Sequence, residues 1–142
     1  MTITGRLLSA VAALALTAGS VLAAEWVVLD EDPMLSTFYY DSSSVSRDKE
    51  GMVSVWTRAI YSEEGKADAL DTMGNPPAFK DLSHTHFLYT IDCQAAKSRL
   101  EKVIHFDDKA EPIKEYNLSG KTDWEAIDEF TRLGLLQEAV CR

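Results

Sequence analysis

Three histidines are the residues of this chain whose spacing could do metal chemistry. His84 and His86 alternate in one apolar stretch, and His105 lies in the next. Alternate residues of a strand point to the same face, so His84 and His86 are expected to share one. If the two strands pair so that His105 lies beside His86, their Cβ atoms are about 5 Å apart, close enough for a shared metal ion. The alternative is three separate surface histidines on a polar face.

The sequence carries none of the short patterns that mark common catalytic sites. It has no nucleophile elbow, phosphate loop, CxxC pair or HExxH motif. The acidic pairs Glu63-Glu64 and Asp107-Asp108 lie in expected turns, where solvated carboxylates are usual. We therefore expect a protein that is not an enzyme and needs no cofactor.

A tryptophan and an arginine alternate along the clearest strand candidate, residues 52–61. Its odd-numbered residues suit a buried face, so Trp56, Arg58 and Ile60 lie on the opposite face. Because the centres of interfaces favour Trp and Arg, we expect these three residues to bind a macromolecule. An exposed apolar ledge of Trp56 and Ile60 would also suit a homodimer. The alternative is that residues 62–82 fold over both side chains.

Cys93 and Cys141 are the two cysteines of the chain. In an exported protein an even number of cysteines indicates disulfide pairing, and two cysteines allow one intramolecular pair. We expect this bond to tie the middle of the chain to its last turn. The alternative is a catalytic thiol, which would need a partner histidine and protection from oxidation.

The first residues have the pattern of a secretory signal peptide. Arg6 is followed by an apolar run over residues 7–16, and small residues surround a cleavage point after Ala23 or Ala24. The run is shorter than the roughly 20 apolar residues of a transmembrane helix. We expect residues 1–23 to be removed.

The remainder, residues 24–142, has the length of one ordinary domain. No cysteine lies near the cleavage point, so a lipid anchor is not expected, and no later segment is apolar enough to span a membrane. The net charge of −9 is unfavourable for binding nucleic acid. We expect an acidic protein of the bacterial periplasm or cell surface.

Alternating apolar residues predict six strands, joined by short connections. The predicted strands are residues 26–29, 38–40, 52–61, 84–93, 99–107 and 112–118. Residues 122–140 change to an apolar repeat of three and four, typical of an amphipathic helix, with Thr122 and Glu125 as a capping box. The sequence therefore predicts an α+β fold, in which a six-stranded antiparallel meander sheet is packed by a C-terminal helix.

The predicted helix is expected to pack on the sheet through Trp124, Ile127 and Phe130. The sheet residues expected beneath it are Phe87, Tyr89, Ile91, Leu100, Ile104 and Phe106. Between the strands, residues 66–73 are expected to form a short helix that ends at Gly74.

Several short motifs occur in an order that is similar to a known family. They are a Trp-led first strand, Tyr39-Tyr40-Asp41 before serine, Val53-Ser54-Val55-Trp56, Tyr61-Ser62-Glu63-Glu64-Gly65, Ile91-Asp92-Cys93, Trp124-x-x-Ile127 and a final cysteine. The chain resembles the bacterial surface-adhesin protein E family over nearly all of residues 24–142. The resemblance implies a six-stranded antiparallel sheet with a C-terminal helix, in a surface-exposed binding protein that can dimerise.

From these features we expect an exported protein that binds an extracellular or envelope macromolecule. Two other roles are the alternatives: periplasmic metal binding at His84, His86 and His105, or a structural part in an envelope assembly.

Overall fold

The structure, a computed structural model, describes residues 23–142. Within this range, eight strands form one antiparallel sheet and two helices pack beside it. The strands are β1 Trp26–Asp32, β2 Ser36–Asp41, β3 Ser46–Arg47, β4 Met52–Tyr61, β5 Leu82–Asp92, β6 Lys97–Asp107, β7 Pro112–Asn117 and β8 Glu125–Ala126. The helices are α1 Glu63–Thr72 and α2 Arg132–Val140. Except for Ala23, the predicted signal peptide lies outside the described residues.

The six longer strands follow one another across the sheet in the order β1-β2-β4-β5-β6-β7, while β3 pairs with β4 and β8 with β6. The predicted antiparallel sheet with a C-terminal helix is therefore confirmed. Neither helix in residues 23–142 has the length and apolar character that crossing a bilayer requires.

Strand β4 alternates between two environments, as predicted. Val53, Val55 and Thr57 have no exposed surface. Val53 and Val55 belong to a buried core that also contains Leu136 and Val140 of α2. The even-numbered residues of β4 therefore lie on the side of the sheet that faces away from α2.

The C-terminal helix is about half as long as predicted. It begins at Arg132, where the hydroxyl group of Thr131 accepts a hydrogen bond from the Gly134 amide at 3.2 Å. The predicted capping box is wrong, because the Thr122 hydroxyl group instead donates to the Leu100 carbonyl at 2.7 Å. Residues 125–126 pair with β6, so their backbone N–H and C=O groups form hydrogen bonds with the sheet instead of within a helix.

Only part of the predicted helix packing is correct. Ile127, Leu133, Leu136 and Val140 contact the core. Phe130, which was predicted to pack on the sheet, is 89% exposed. Its position just before the short helix leaves its ring in solvent.

Replacing Phe130 with alanine should therefore change the free energy of unfolding by less than about 0.5 kcal/mol, as expected for an exposed side chain. Leu133→Ala is the matched comparison in the same region, and its partly buried side chain should cost about 2 kcal/mol. Denaturant titration of both variants checks the difference. A larger loss for Phe130→Ala than for Leu133→Ala would contradict this packing.

A β-bulge in β6 changes which of its residues face α2. Tyr89 pairs with Leu100 and Leu88 pairs with Lys102, so Glu101 is an extra residue in β6. An extra residue inverts the faces of the rest of the strand.

The bulge places Ile104 and Phe106 on the side away from α2, where they pair with His86 and His84. The prediction that they lie beneath the helix is therefore wrong. Val103 takes that place, since it pairs with Phe87 and is buried.

The end of α2 is fixed to the sheet by the predicted disulfide bond. Cys93 follows β5 and Cys141 caps α2, and their Cα atoms are 5.6 Å apart. A second contact adds to the bond, because Arg47 Nη2 donates to the Val140 carbonyl at 2.9 Å.

Segment 62–82 packs on the α2 side of the sheet. Helix α1 begins earlier than predicted, at Glu63, and ends just before Gly74, whose φ angle of +81° suits glycine. Farther along the segment, the Phe79 ring lies 5.4 Å from the ring of His105. His105 shares its face with Thr85 on the α2 side, so this contact directs the segment away from Trp56 and Ile60.

Candidate functional site

The side of the sheet that faces away from α2 carries the candidate site, and we call it the open face. Strand β4 contributes Trp56, Arg58 and Ile60 to it. In the antiparallel register His86 pairs with Arg58, and His84 pairs with Ile60. All five residues are half-buried, so their side chains pack beside one another and form one continuous surface.

The guanidinium group of Arg58 lies over two aromatic rings, one from β1 and one from β2. Its central carbon is 4.4 Å from the ring centre of Trp26 in β1 and 4.6 Å from that of Tyr39 in β2. Tyr39 is the direct register partner of Arg58. Contacts of this kind attract a cation to the ring and fix the orientation of its plane.

A second group of rings continues from Trp26 across β5 and β6. His86 lies 5.1 Å from Trp26 and 4.5 Å from Phe106, measured between ring centres. His84 stacks on Phe106 at 5.0 Å with an angle of 7° between the rings. We call this set the aromatic–arginine patch, defined as Trp26, Tyr39, Arg58, His84, His86 and Phe106.

Two nitrogen atoms of the patch are buried without a partner. Arg58 Nε and His86 Nε2 make no hydrogen bond within residues 23–142. Arg58 also forms no ion pair in this part of the chain, where the ion pairs are Arg99–Glu101, Lys102–Glu115 and Arg132–Asp30. Buried polar groups are normally paired, so each exception needs a cause.

Burial lowers the pKa values of three side chains of the patch, His84, His86 and Arg58. Burial, then the positive charges of His84 and Arg58, lower the pKa of His86 to about 4, although Asp41 opposes this. Burial and Arg58 also lower the pKa of His84. Burial lowers the pKa of Arg58 itself, although Tyr39 opposes this. At neutral pH both histidines are therefore neutral, and Arg58 supplies the positive charge.

The lowered pKa of His86 should make the protein less stable in mild acid. In the unfolded chain this histidine takes up its proton near pH 6.5, before the folded protein does. The stability that the neutral form of His86 gives the folded protein is fully present above pH 6.5, and it is lost as the pH falls toward 4. Because His86 is only partly buried and solvent screens its charge, this effect alone should lower the free energy of unfolding by about 1 to 2 kcal/mol from pH 7 to pH 5, as measured by denaturant titration at each pH.

His86→Phe is the control, because it keeps a ring beside Arg58 and Phe106 but cannot take up a proton. The pH dependence should be clearly weaker in this variant. The same slope in both proteins would show that His86 is not its source.

A shallow pocket adjoins the patch. It has a volume of about 240 Å³, and its lining residues are Ala24, Trp26, Asp41, Trp56, His86 and Ile104. Most of these side chains are apolar or aromatic, so the pocket suits an apolar group that lies beside Arg58.

The structure separates His105 from the other two histidines. His105 pairs with Thr85 on the α2 side, whereas His84 and His86 lie on the open face. The predicted pairing of His86 with His105 is therefore wrong, because the bulge at Glu101 changes the register. His105 Nδ1 is instead 2.8 Å from the Thr85 hydroxyl oxygen, which is 2.8 Å from the Tyr61 hydroxyl oxygen.

This separation leaves two histidines together where three were predicted. Among residues 23–142, no three His, Cys, Asp or Glu side chains come close enough to hold a metal ion. The open face brings His84 and His86 to aromatic rings and Arg58, an arrangement suited to binding hydrogen-bond acceptors.

Three residues of the patch were not predicted as site residues from the sequence: Trp26, Tyr39 and Phe106. Each belongs to a strand other than β4, so its place beside Arg58 depends on strand register. The alternation of Trp26 and Val28 in β1 indicates that both side chains share one face of this strand. It does not show which other strands bring their side chains next to Trp26.

The family of the chain follows from comparison with family models. The model of the surface-adhesin protein E family matches residues 26–142. The chain belongs to this family. Neither a curated protein nor a solved structure gives a significant match.

The family match runs from the first residue of β1 past the end of α2. The disulfide bond and the whole aromatic–arginine patch therefore lie within the family's domain.

Proposed function

We propose that this member of the surface-adhesin protein E family is an exported, non-enzymatic protein that binds an extracellular or envelope macromolecule through its open face. The aromatic–arginine patch is the observation that carries the proposal. It concentrates Trp, Tyr and Arg, the residue types that dominate interface energies. Arg58 keeps a buried N–H group without a partner, and a ligand could supply one.

The proposed location is the periplasm or the cell surface, reached by means of a signal peptide at residues 1–23. The disulfide bond supports an oxidising compartment. The net charge of −9 makes nucleic acid an unfavourable partner.

A second copy of the chain is the alternative occupant of the open face. Trp56 and Ile60 are half-buried there and offer apolar surface to a symmetric partner. Sedimentation at high micromolar concentration tests this directly. A dimer in the wild type that is lost in Trp56→Ala would assign the open face to self-association.

Affinity capture on the immobilised protein tests the proposed function. Matrix and envelope extracts are passed over wild type, Trp56→Ala and Arg58→Ala, each with and without a chelator. Phe130→Ala is the control, because its exposed side chain lies beside α2 and outside the patch. A macromolecule retained by wild type and by Phe130→Ala, but lost from both patch variants, would support the proposal.

Other outcomes would contradict it. Equal capture by all four proteins would remove the open face from the binding site. Capture that is insensitive to Trp56→Ala but abolished by the chelator would favour a metal-dependent role. Turnover of a small substrate by the pure protein would overturn the non-enzymatic assignment.

A further inference from the structure

We propose that Arg58 anchors a carboxylate subsite, which takes one acidic side chain of a protein partner while an adjacent apolar side chain enters the pocket between Trp26 and Trp56. This inference rests on the proposed function, because it names the ligand chemistry of the same open face.

The ring contacts of Arg58 leave its N–H groups unused, and its Nε atom is buried without a partner. Trp26 and Tyr39 contact the guanidinium group through their ring faces, and such contacts use none of its N–H groups. The donors lie along the edge of the guanidinium plane, where they match the two oxygen atoms of a carboxylate. The buried Nε atom without a partner is one of these donors.

The chain's own acids on this face are already engaged. Asp41 Oδ1 accepts hydrogen bonds from the Glu25 and Ser43 amides at 2.9 and 3.0 Å. Burial opposes ionisation of Asp41, but these bonds and that of the Ser43 hydroxyl group outweigh it and lower the carboxyl pKa. The Asp41 carboxylate therefore holds the chain before β3 in place and is not the missing partner of Arg58.

Three other acids lie near this face, and each has partners of its own. Asp107, which acts on His84, accepts two backbone amide hydrogen bonds within its own turn, both at 2.9 Å. Glu101 accepts from Arg99 at 2.7 Å, and Glu115 lies 2.9 Å from the Lys102 nitrogen. Among the described residues, Arg58 is thus a partly desolvated cation without an acid. An external carboxylate would supply both the charge and the acceptor.

The pocket adds a requirement for an apolar neighbour. Trp26, which lies beneath the Arg58 guanidinium group, also lines the pocket, as does His86, the register partner of Arg58. A carboxylate on Arg58 therefore places the next side chain of a peptide near the space between Trp26 and Trp56. This favours an acidic residue beside an apolar one.

The charge of the whole chain selects against a polyanion. A net charge of −9 repels sulfated or other highly charged polysaccharides at long range. The open face does not offset this, because burial lowers the pKa values of His84 and His86 and keeps both neutral at pH 7. One isolated carboxylate in a largely apolar segment fits a single arginine better.

The test is an NMR titration of the full chain with two acetylated, amidated dipeptides, leucyl-glutamate and leucyl-glutamine. The Arg58 Nε–H signal should move with the first dipeptide, and the second should bind at least about tenfold more weakly. In Arg58→Gln the two dipeptides should bind equally. Lys114→Gln is the control, because Lys114 lies over Tyr116 on β7, outside the patch, and should leave the discrimination unchanged.

The amide spectrum of Arg58→Gln shows whether that variant is folded. If it is not folded, Arg58→Lys takes its place in the titration. Lysine keeps the charge but lacks the paired donors, so it should lose most of the discrimination.

Three results would overturn the inference. These are an unmoved Arg58 Nε–H signal, equal binding of the two dipeptides by wild type, or preference for a sulfated disaccharide over leucyl-glutamate. If capture of a macromolecule still requires Trp56 and Arg58 in such a case, the proposed function stands and only the carboxylate subsite fails.

Discussion

Replacing Cys93 and Cys141 together with alanine should lower the free energy of unfolding by about 4 kcal/mol, the value that the chain-entropy model gives for a closed loop of this length. The bond closes a loop of 48 residues. Its loss should first release α2, because a helix of nine residues is marginal without packing. Denaturant titration of the double variant and of the oxidised wild type measures the difference.

A reductant provides the control for this prediction. Dithiothreitol should bring the wild type toward the stability of the double variant and leave the variant itself unchanged. A loss below about 1 kcal/mol, far under the expected entropy term, would contradict the prediction. It would mean that Leu136, Val140 and the Arg47 contact hold α2 without the bond.

Strands with one buried side could be predicted from the sequence alone. In β4, Val53 and Val55 face α2 while Trp56 and Arg58 face the other way, which produces a clear period of two. Consecutive strands joined by short connections also pair as neighbours in most sheets. The order of the six longer strands followed from these patterns, whereas the disulfide bond followed from the presence of two cysteines in an exported protein.

The true start of α2 could not be predicted in the same way. Trp124, Ile127 and Phe130 recur at three-residue steps, as in a helix. However, the Ile127 amide donates to the Ala96 carbonyl at 2.9 Å, and residues 125–126 pair with β6. A periodic pattern shows which residues are apolar, but it does not show where the backbone finds its hydrogen bonds.

The register of β5 and β6 depends on tertiary contacts of one residue. Glu101 is buried and accepts hydrogen bonds from Arg99 and from the Thr90 hydroxyl group. These contacts accommodate an extra residue that no apolar pattern reveals, because Leu100 and Ile104 suggest continuous alternation. For this reason the sequence predicted the wrong side of the sheet for both Ile104 and His105.

The candidate site was predictable only where one strand defined it. Trp56, Arg58 and Ile60 share a face of β4 whatever its partners are. The contacts of Arg58 with Trp26 and Tyr39 depend on the pairing of three strands and on a bulge in β1 between Val28 and Asp30. A single sequence does not contain that information.

Gly65→Ala should lower the free energy of unfolding by at least about 3 kcal/mol, at the upper end of what overpacking costs. Gly65 is buried in the first turn of α1, and an added Cβ atom would lie 1.6 Å from the Leu35 carbonyl oxygen. That oxygen cannot move freely, because it accepts hydrogen bonds from the Ser62 amide at 3.0 Å and the Ser62 hydroxyl group at 3.1 Å. The first turn of α1 must therefore separate from the β1–β2 turn, and denaturant titration measures the cost.

The sign of the Gly65→Ala effect distinguishes this contact from helix propensity. By propensity alone, alanine is better than glycine in a helix by about 1 kcal/mol, so the substitution would stabilise the protein. Ala67→Gly, at an exposed position of the same helix, is the control and should cost about 1 kcal/mol through propensity only. If Gly65→Ala instead raised the stability, α1 would not pack on Leu35, and the anchoring of segment 62–82 at its first turn would be disproved.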